Sequence, residues 1–484
     1  MSPKDSVMDE LYGAPTNTNL SMYYDAMLPI LTPAHFETRT PMLTWRGDSQ
    51  TKTSCIDFLA CLPKELALNT LALLHDHHDV LRAASVNRTW NRLASDPWLW
   101  KEMFYRNPGW EIRWDMLAQV ASTSSETCVL SARPSIHTHW KAFYRGRHAL
   151  DRRWNALRGS PHNHKTFAHF RPNVVRLRGH SDSVYCCNID SGLGAGNVGY
   201  VLSGSRDKTV RVWDSATGEC VSVLSGHEGS VVCMISRNGT LVTGSSDGTA
   251  RIWVATDTLR SNYVMQNVLR GHKGGVLDVS MDDTYIITAS RDKTLRVWRR
   301  STAELVHVYT QHKAPVNACS LDGGIAVSGA GDGSLHVWLV DTGKLLQTIN
   351  EPRCGIATVI LRDNVVFAGS SDHFIRLWDR STGQCLAAFQ AHTHLVRAIT
   401  YDAARHWLVS GGWDKKTRLW SMDLLSHPPH GSKPMPELAL ELGMHQARVF
   451  AVAIDTTRII SACEDSTLWI TNFGKQGLPT HIYA

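Results

Sequence analysis

The sequence predicts a mainly β protein: a closed ring of seven small four-stranded sheets, preceded by a small all-α domain and a helical linker. Three observations predict it. An Asp-bearing turn, followed six places later by Trp, recurs at near-constant spacing from about residue 174 onward. Each recurring unit holds apolar runs of strand length separated by Gly, Asp and Ser turns. Ahead of the array, between Leu62 and Arg106, leucines and tryptophans fall at helical intervals instead.

The array is centred on Ser203 to Asp214, SGSRDKTVRVWD. Its Asp returns as Asp207, Asp247, Asp292, Asp332, Asp372, Asp414 and Asp465, at separations of 40, 45, 40, 40, 42 and 51 residues. A fixed period of this length marks a repeat architecture. Trp213, Trp253, Trp298, Trp338, Trp378 and Trp420 follow, whereas the seventh unit has Thr471 there and Trp469 two places early. His227, His272, His312 and His445 stand 20 places before their Asp, and His180 and His392 somewhat further back. The fifth unit has Pro352 and Ala368 in place of the His and the Ser, so it should be the loosest. Within a unit, runs such as SVYCCNI, YVLSG, TVRVWD and CVSVL give four short strands. One such sheet cannot bury both faces alone, and closing seven into a ring removes exposed edges. The seventh unit ends after its third run, so VVRL at 174–177 should supply its last strand.

RGH with SGSRDKTVRVWD, SGH with TGSSDGTARIW and RGH with TASRDKTLRVW resemble the repeats of WD-repeat β-propellers, over residues 173–474. The sets His180, Ser203, Asp207, Trp213; His227, Thr243, Asp247, Trp253; and His272, Thr288, Asp292, Trp298 resemble the structural tetrads of that family. A His-Asp-Ser catalytic triad is the competing reading, and recurrence in most units argues against it. The expectation is a non-catalytic protein.

Composition bounds the rest. With 484 residues, 43% apolar and 19% charged, the chain is long enough for more than one soluble domain. It has no apolar run of about 18 residues, and its start lacks a basic, then apolar, leader. No membrane contact is expected, and cytoplasm or nucleus is the expected location. The 11 Cys show no CxxC pattern and read as small core hydrophobes in a reducing compartment. HDHH at 75–78 reads as a polar turn, and no metal or cofactor is assigned. A net charge of +6 is mild for this size and is not itself evidence for nucleic acid, which is not expected as a partner.

Residues 1–54 read as a disordered tail in which YYDAMLPIL is either a docking segment or plain tail. Residues 55–107 read as short helices, with Pro63 and Glu65 suited to a helix start and Asp96-Pro97 to another. So small a domain leaves apolar surface for a partner or for its neighbour. LPKEL followed by RAASVNRTWNRLASDPWLW resembles the F-box, which docks on the adaptor of SCF ubiquitin ligases. The resemblance implies an adaptor contact through Leu62, Pro63, Leu66, Leu71, Leu81, Val86 and Trp90; otherwise these residues form the core of a helical domain. Residues 108–172 hold HWKAFYRGRHALDRRWNAL, read as a stiff amphipathic linker with Arg and Lys on its outer arc. Its basic residues also raise an RNA-binding reading, for which no stacking motif speaks. Insertions at 192–199, 257–267 and 424–438 lengthen loops, and 475–484 reads as a tail.

On the ring, two positions per unit should reach one rim, where loops converge. The first, five places after the His, holds Tyr185, Val232, Leu277, Asn317, Ala357, Arg397 and Phe450. The second, just before the turn Asp, holds Arg206, Ser246, Arg291, Gly331, Ser371, Trp413 and Glu464. In F-box/WD-repeat proteins that read phosphopeptides, Arg at these positions holds the phosphate, which implies roles for Arg206, Arg291 and Arg397. Ring closure should set Arg397, Trp413, Arg448, Phe450, Tyr185 and Arg206 along one arc, with Glu464 inside it. Arg suits phosphate or carboxylate and the aromatics suit an apolar anchor. The resemblance thus implies an SCF substrate receptor that joins adaptor, cullin and RING subunits to a substrate peptide. A WD-repeat scaffold unrelated to ubiquitin is the alternative.

Overall fold

The computed structural model describes residues 57–74, 76–107, 110, 140–155, 157, 172–190, 199–215, 217–256, 261–350, 354–422 and 436–474. The expected tails at 1–54 and 475–484, Pro352, and most of the three insertions lie outside these residues.

Seven four-stranded antiparallel sheets form a β-propeller. Blade one takes Val184–Asp190, Tyr200–Ser205, Val210–Asp214 and Cys220–Leu224 from centre to outside. Blades two to six repeat that order over 231–269, 276–309, 316–349, 356–390 and 396–444. Blade seven has three strands of its own, Val449–Ile454, Arg458–Cys463 and Thr467–Asn472, and borrows Asn173–Arg178 as its fourth. That strand pairs antiparallel from Asn173 opposite Asn472 to Arg178 opposite Thr467, so the ring is closed by the run ahead of the array.

The blades stack through apolar faces. Leu202, Val210 and Val212 of blade one share a core with Val231, Met234 and Leu241 of blade two. Approach is close enough that a Cβ on Gly204 would stand 2.6 Å from both Cys186 Sγ and Val231 Cγ1. Backbone bonds also cross between blades: Ser280 Oγ accepts from Leu321 N at 3.1 Å, and Ser320 Oγ from Leu361 N at 2.9 Å.

After a single helical turn, Phe58–Cys61, the N-terminal domain runs through α1 (Lys64–Ala72), α2 (His77–Ala84), α3 (Arg88–Ala94) and α4 (Pro97–Tyr105). Caps fix the starts. Asp76 accepts from His78 N, Asn87 from Trp90 N, and Asp96 from Trp98 N with Pro97 in the first turn. HDHH is therefore not simply a polar turn, because His77 already opens α2.

The linker segment forms α5 (Trp140–Asn155), which is packed at both ends rather than standing as a free spacer. Trp140, Phe143 and Tyr144 join the helical core of Leu71, Leu99, Trp100 and Phe104. Leu150 and Trp154 join the propeller core of Trp407, Val449, Ile459 and Phe473. Trp154 stacks on Phe473 at 4.3 Å and donates to Thr456 O at 3.0 Å. The outer arc is not uniformly basic either. Arg147 is buried with Asp151 3.4 Å away, and Arg153 donates to Phe473 O. That spends two of the cations on which the RNA reading rests; Arg133, Arg158, Lys165 and Arg171 lie outside the described residues. No described helix is long and apolar enough to cross a membrane.

Candidate functional site

Recurrent hydrogen bonds make the frame on which any site must sit. In blade one His180 Nδ1 lies 2.7 Å from Asp207 Oδ2 and Nε2 2.8 Å from Ser203 Oγ, to which Trp213 Nε1 donates at 2.7 Å. His227, Thr243, Asp247 and Trp253 repeat this at 2.9 Å throughout. His272, Thr288, Asp292 and Trp298 repeat it in blade three, and His392, Ser410, Asp414 and Trp420 in blade six. Protons fit one arrangement: Trp N–H to hydroxyl, hydroxyl to Nε2, and Nδ1–H to carboxylate. Burial pulls the His180 pKa down against the pull of Asp207, keeping the ring neutral. Burial would raise Asp207, but hydrogen bonds from Thr209 and His180 outweigh it and hold the carboxyl at about 2. Ser203, Thr243 and Thr288 are fully buried with both hydroxyl functions engaged, which leaves no path for a substrate to a nucleophile.

Three blades depart from the frame. In blade four His312 Nδ1 meets Ser334 Oγ at 3.1 Å instead of the Asp. Blade five, with Ala368, holds Asp372 through Arg376 at 2.7 Å. In blade seven His445 bonds Ser461 at 2.9 Å and lies against Trp469, over which Arg176 sits at 4.0 Å.

Both series of rim positions have a structural cause. The first-position residues Tyr185, Val232, Leu277, Asn317, Ala357, Arg397 and Phe450 each occupy the register shift of the innermost strand in their blade. A bulge leaves one residue out of the ladder and re-aims its side chain. The second-position residues Arg206, Ser246, Arg291, Gly331, Ser371, Trp413 and Glu464 each donate a backbone N–H, at 2.9–3.0 Å, to the loop entering the same blade. Their backbone is fixed while their side chains are free to vary.

Around blades six, seven and one the structure brings part of the expected arc together. Tyr185 and Phe450 meet edge to face at 5.1 Å. The Arg448 guanidinium lies over Trp413 at 4.7 Å, with Nε 3.8 Å from Glu464. Ser183 Oγ donates to Glu464 O, tying blade one to blade seven. The cations of the arc are paired, Arg448 with Glu464 and Arg206 with Asp182 at 3.6 Å. Arg291 is exposed on blade three, outside the blade six to one arc, as the repeat order expects. Arg397 is half-buried on the innermost strand of blade six, in the field of Asp278 on that of blade three. Asp278 accepts from Cys319 N at 2.8 Å, and desolvation there outweighs its hydrogen bonds and pushes its carboxyl up to about 6. Nothing in the repeat pattern singled Asp278 out; an Asp where neighbouring blades have Cys or Ala was the available signal.

On the helical domain, Leu66 is 52% exposed and Val86 59%, Pro63 is exposed, and Leu62, Leu81 and Trp90 are half-buried. Leu71 is a correction. It is 3% exposed in the helical core, so it cannot belong to a docking face, whereas Leu73, not chosen from sequence, is 71% exposed.

An F-box-like family model matches residues 59–106, and the model for the WD domain, G-beta repeat, matches 171–214, 218–254, 264–299, 303–338 and 383–421. The chain carries an F-box-like segment followed by WD repeats. Blades five and seven, two of the three that depart from the tetrad, have no matched segment of their own. The chain is 34% identical over 175 residues to a Drosophila melanogaster protein named F-box/WD repeat-containing protein 7, covering 36% of the chain and 11% of the relative. It is 26% identical over 199 residues to an Arthroderma otae protein named Probable E3 ubiquitin ligase complex SCF subunit sconB, covering 38% and 26%. It is also 35% identical over 97 residues to Mitochondrial division protein 1 of Coccidioides immitis, covering 20% and 13%. The matches thus span about a quarter or less of each of these relatives.

Proposed function

We propose that this protein is the substrate receptor of an SCF-type ubiquitin ligase, working in the cytoplasm or nucleus. The helical domain engages the adaptor, and through it the cullin and RING subunits, while the propeller rim holds a substrate peptide. The observation that carries the reading is α5, whose two ends are set in the two cores. Such a helix fixes the distance and angle between a docking domain and a recognition rim. A receptor needs this property, since it accelerates transfer only by holding the substrate near a reaction performed on other subunits. The exposed Leu66, Leu73 and Val86 supply apolar surface for the adaptor, and the Tyr185, Phe450 and Trp413 group supplies anchors for a peptide. The receptor itself performs no chemistry, in keeping with the sealed hydroxyls of the tetrads.

Copurification tests the reading. Adaptor and cullin should be recovered with the wild-type chain and lost with Leu66→Asp plus Val86→Asp, two exposed positions whose change leaves the melting curve in place. Recovery unaffected by that pair, or no recovery with the wild type, would replace the reading with that of a WD-repeat scaffold outside ubiquitin transfer.

A further inference from the structure

One cluster is used neither by the helical docking face nor by the propeller rim. His77, at the start of α2, is 8% exposed, and its Nδ1 makes no hydrogen bond. That nitrogen stands 3.1 Å from Asp76 Oδ1. The available ligand atoms of Asp76, His77 and His78 all lie within 4.8 Å of one another. The His78 ring is 4.1 Å from that of His77, and α5 brings the His148 ring to 4.2 Å on another side. Imidazoles from two separate helices therefore converge beside one carboxylate.

We propose that Asp76, His77 and His78 form a binding site for a divalent transition metal of the zinc class, with the His148 ring packed beside it. His77 Nδ1 faces a carboxylate without an aligned hydrogen bond, and an ion coordinated by both would satisfy each at once. The donor set chooses the class, since imidazole with one carboxylate suits zinc and its neighbours, whereas calcium and magnesium take oxygen donors. Around a tetrahedral ion with bonds of about 2.0–2.2 Å, donors sit about 3.3–3.6 Å apart. The 3.1 Å separation of Asp76 and His77 is close to that already. Only small side-chain rotations are needed to bring in His78, which is exposed and unconstrained by the core.

The test is titration of the purified full chain with Zn2+ under reducing conditions, in competition with a chromophoric chelator. The chain carries other His and Cys able to hold zinc, so the reading is a difference between variants. One site should be present in the wild type and weakened by about 100-fold or more in His78→Ala and in Asp76→Asn. Asn keeps the helix cap, so the second variant separates loss of a ligand from loss of the helix start. Cobalt loaded at the same stoichiometry should give visible d–d bands without a thiolate charge-transfer band, which distinguishes this site from cysteine sites elsewhere. Equal zinc stoichiometry and affinity in wild type and both variants would overturn the proposal, as would a cobalt spectrum whose d–d bands are unchanged by His78→Ala.

Discussion

Trp154→Ala should uncouple α5 from the propeller. The indole is fully buried, stacked on Phe473 at 4.3 Å, and donates to Thr456 O at 3.0 Å. Truncating a buried Trp to Ala costs roughly 3–5 kcal/mol, and the abandoned Thr456 carbonyl pushes the value toward the upper end. Trp154→Phe keeps a ring over Phe473 and removes only the N–H, so it should cost about 1–2 kcal/mol. Arg153, which donates to Phe473 O, stays in place in both. Native-state hydrogen exchange reads the effect locally, because docking of one helix can open without unfolding the ring. At 1.36 kcal/mol per tenfold, amides in the second half of α5 should exchange about 200- to 5000-fold faster in Trp154→Ala and about 10-fold faster in Trp154→Phe. Unchanged exchange in Trp154→Ala, or a Phe variant as damaging as the Ala variant, would refute the claim that this contact sets the domains in place.

Acid should weaken the ring before it weakens the carboxylates. Burial, with His336 beside one and Arg176 beside the other, lowers His312 and His445 to about 4, against an ordinary 6.5. The unfolded chain then binds more protons below pH 6.5, so stability is full above that pH and falls as pH drops toward 4, by roughly 2 kcal/mol for each His at pH 5. Melting temperatures between pH 7 and pH 5 check this, and His312→Gln should flatten part of the slope. Thr243→Val strands Trp253 N–H and His227 Nε2 and should cost roughly 2–4 kcal/mol in denaturant titration, while Thr243→Ser should stay within about 1 kcal/mol. On the proposed reading, Arg448→Ala frees Trp413 and Glu464 and should weaken substrate-peptide capture at least tenfold with no change in melting; full capture would move the anchor elsewhere on the rim.

How much of this was legible depended on whether a residue answers to its neighbours in sequence or to distant ones. The blades were legible because Asp207, its following Trp213 and the preceding His180 satisfy one another within a single repeat. The bulge position was legible for the same reason, lying five places after the His in the six blades that have one. Leu71 and Leu73 were not separable, because both sit near the end of a nine-residue helix. The side that is covered is decided by α4 and by Trp140 of α5, far along the chain. Arg147 read as solvated because Arg usually is; Asp151 one turn later and the packing of α5 between two cores bury it. Glu464 appeared in the expected arc with Arg448, its partner within blade seven, but the Trp413 ring under Arg448 required blades seven and six to meet.

The rim is unequal around its circumference, and that inequality narrows where a ligand can gain affinity. At the two rim positions, blades two, four and five present Val232, Ser246, Asn317, Gly331, Ala357 and Ser371, all small or medium in size. Blades six, seven and one present Arg397, Trp413, Phe450, Glu464, Tyr185 and Arg206. Both sets hang from the same bulge and the same backbone bond, so the difference owes nothing to the frame. Binding energy concentrates on large aromatic and Arg side chains that are held rigid, and here Arg448 is held by Trp413 and Glu464, and Tyr185 by Phe450. A peptide on this rim would therefore anchor an apolar side chain at the six–seven–one sector and cross the small-residue sector with backbone alone. Because Arg448 and Arg206 each already face a carboxylate, an acidic group on that peptide must displace Glu464 or Asp182 to be held. Such exchange favours a doubly charged ligand over a singly charged one, and separating the two by affinity at fixed salt decides whether charge or the aromatic anchor leads.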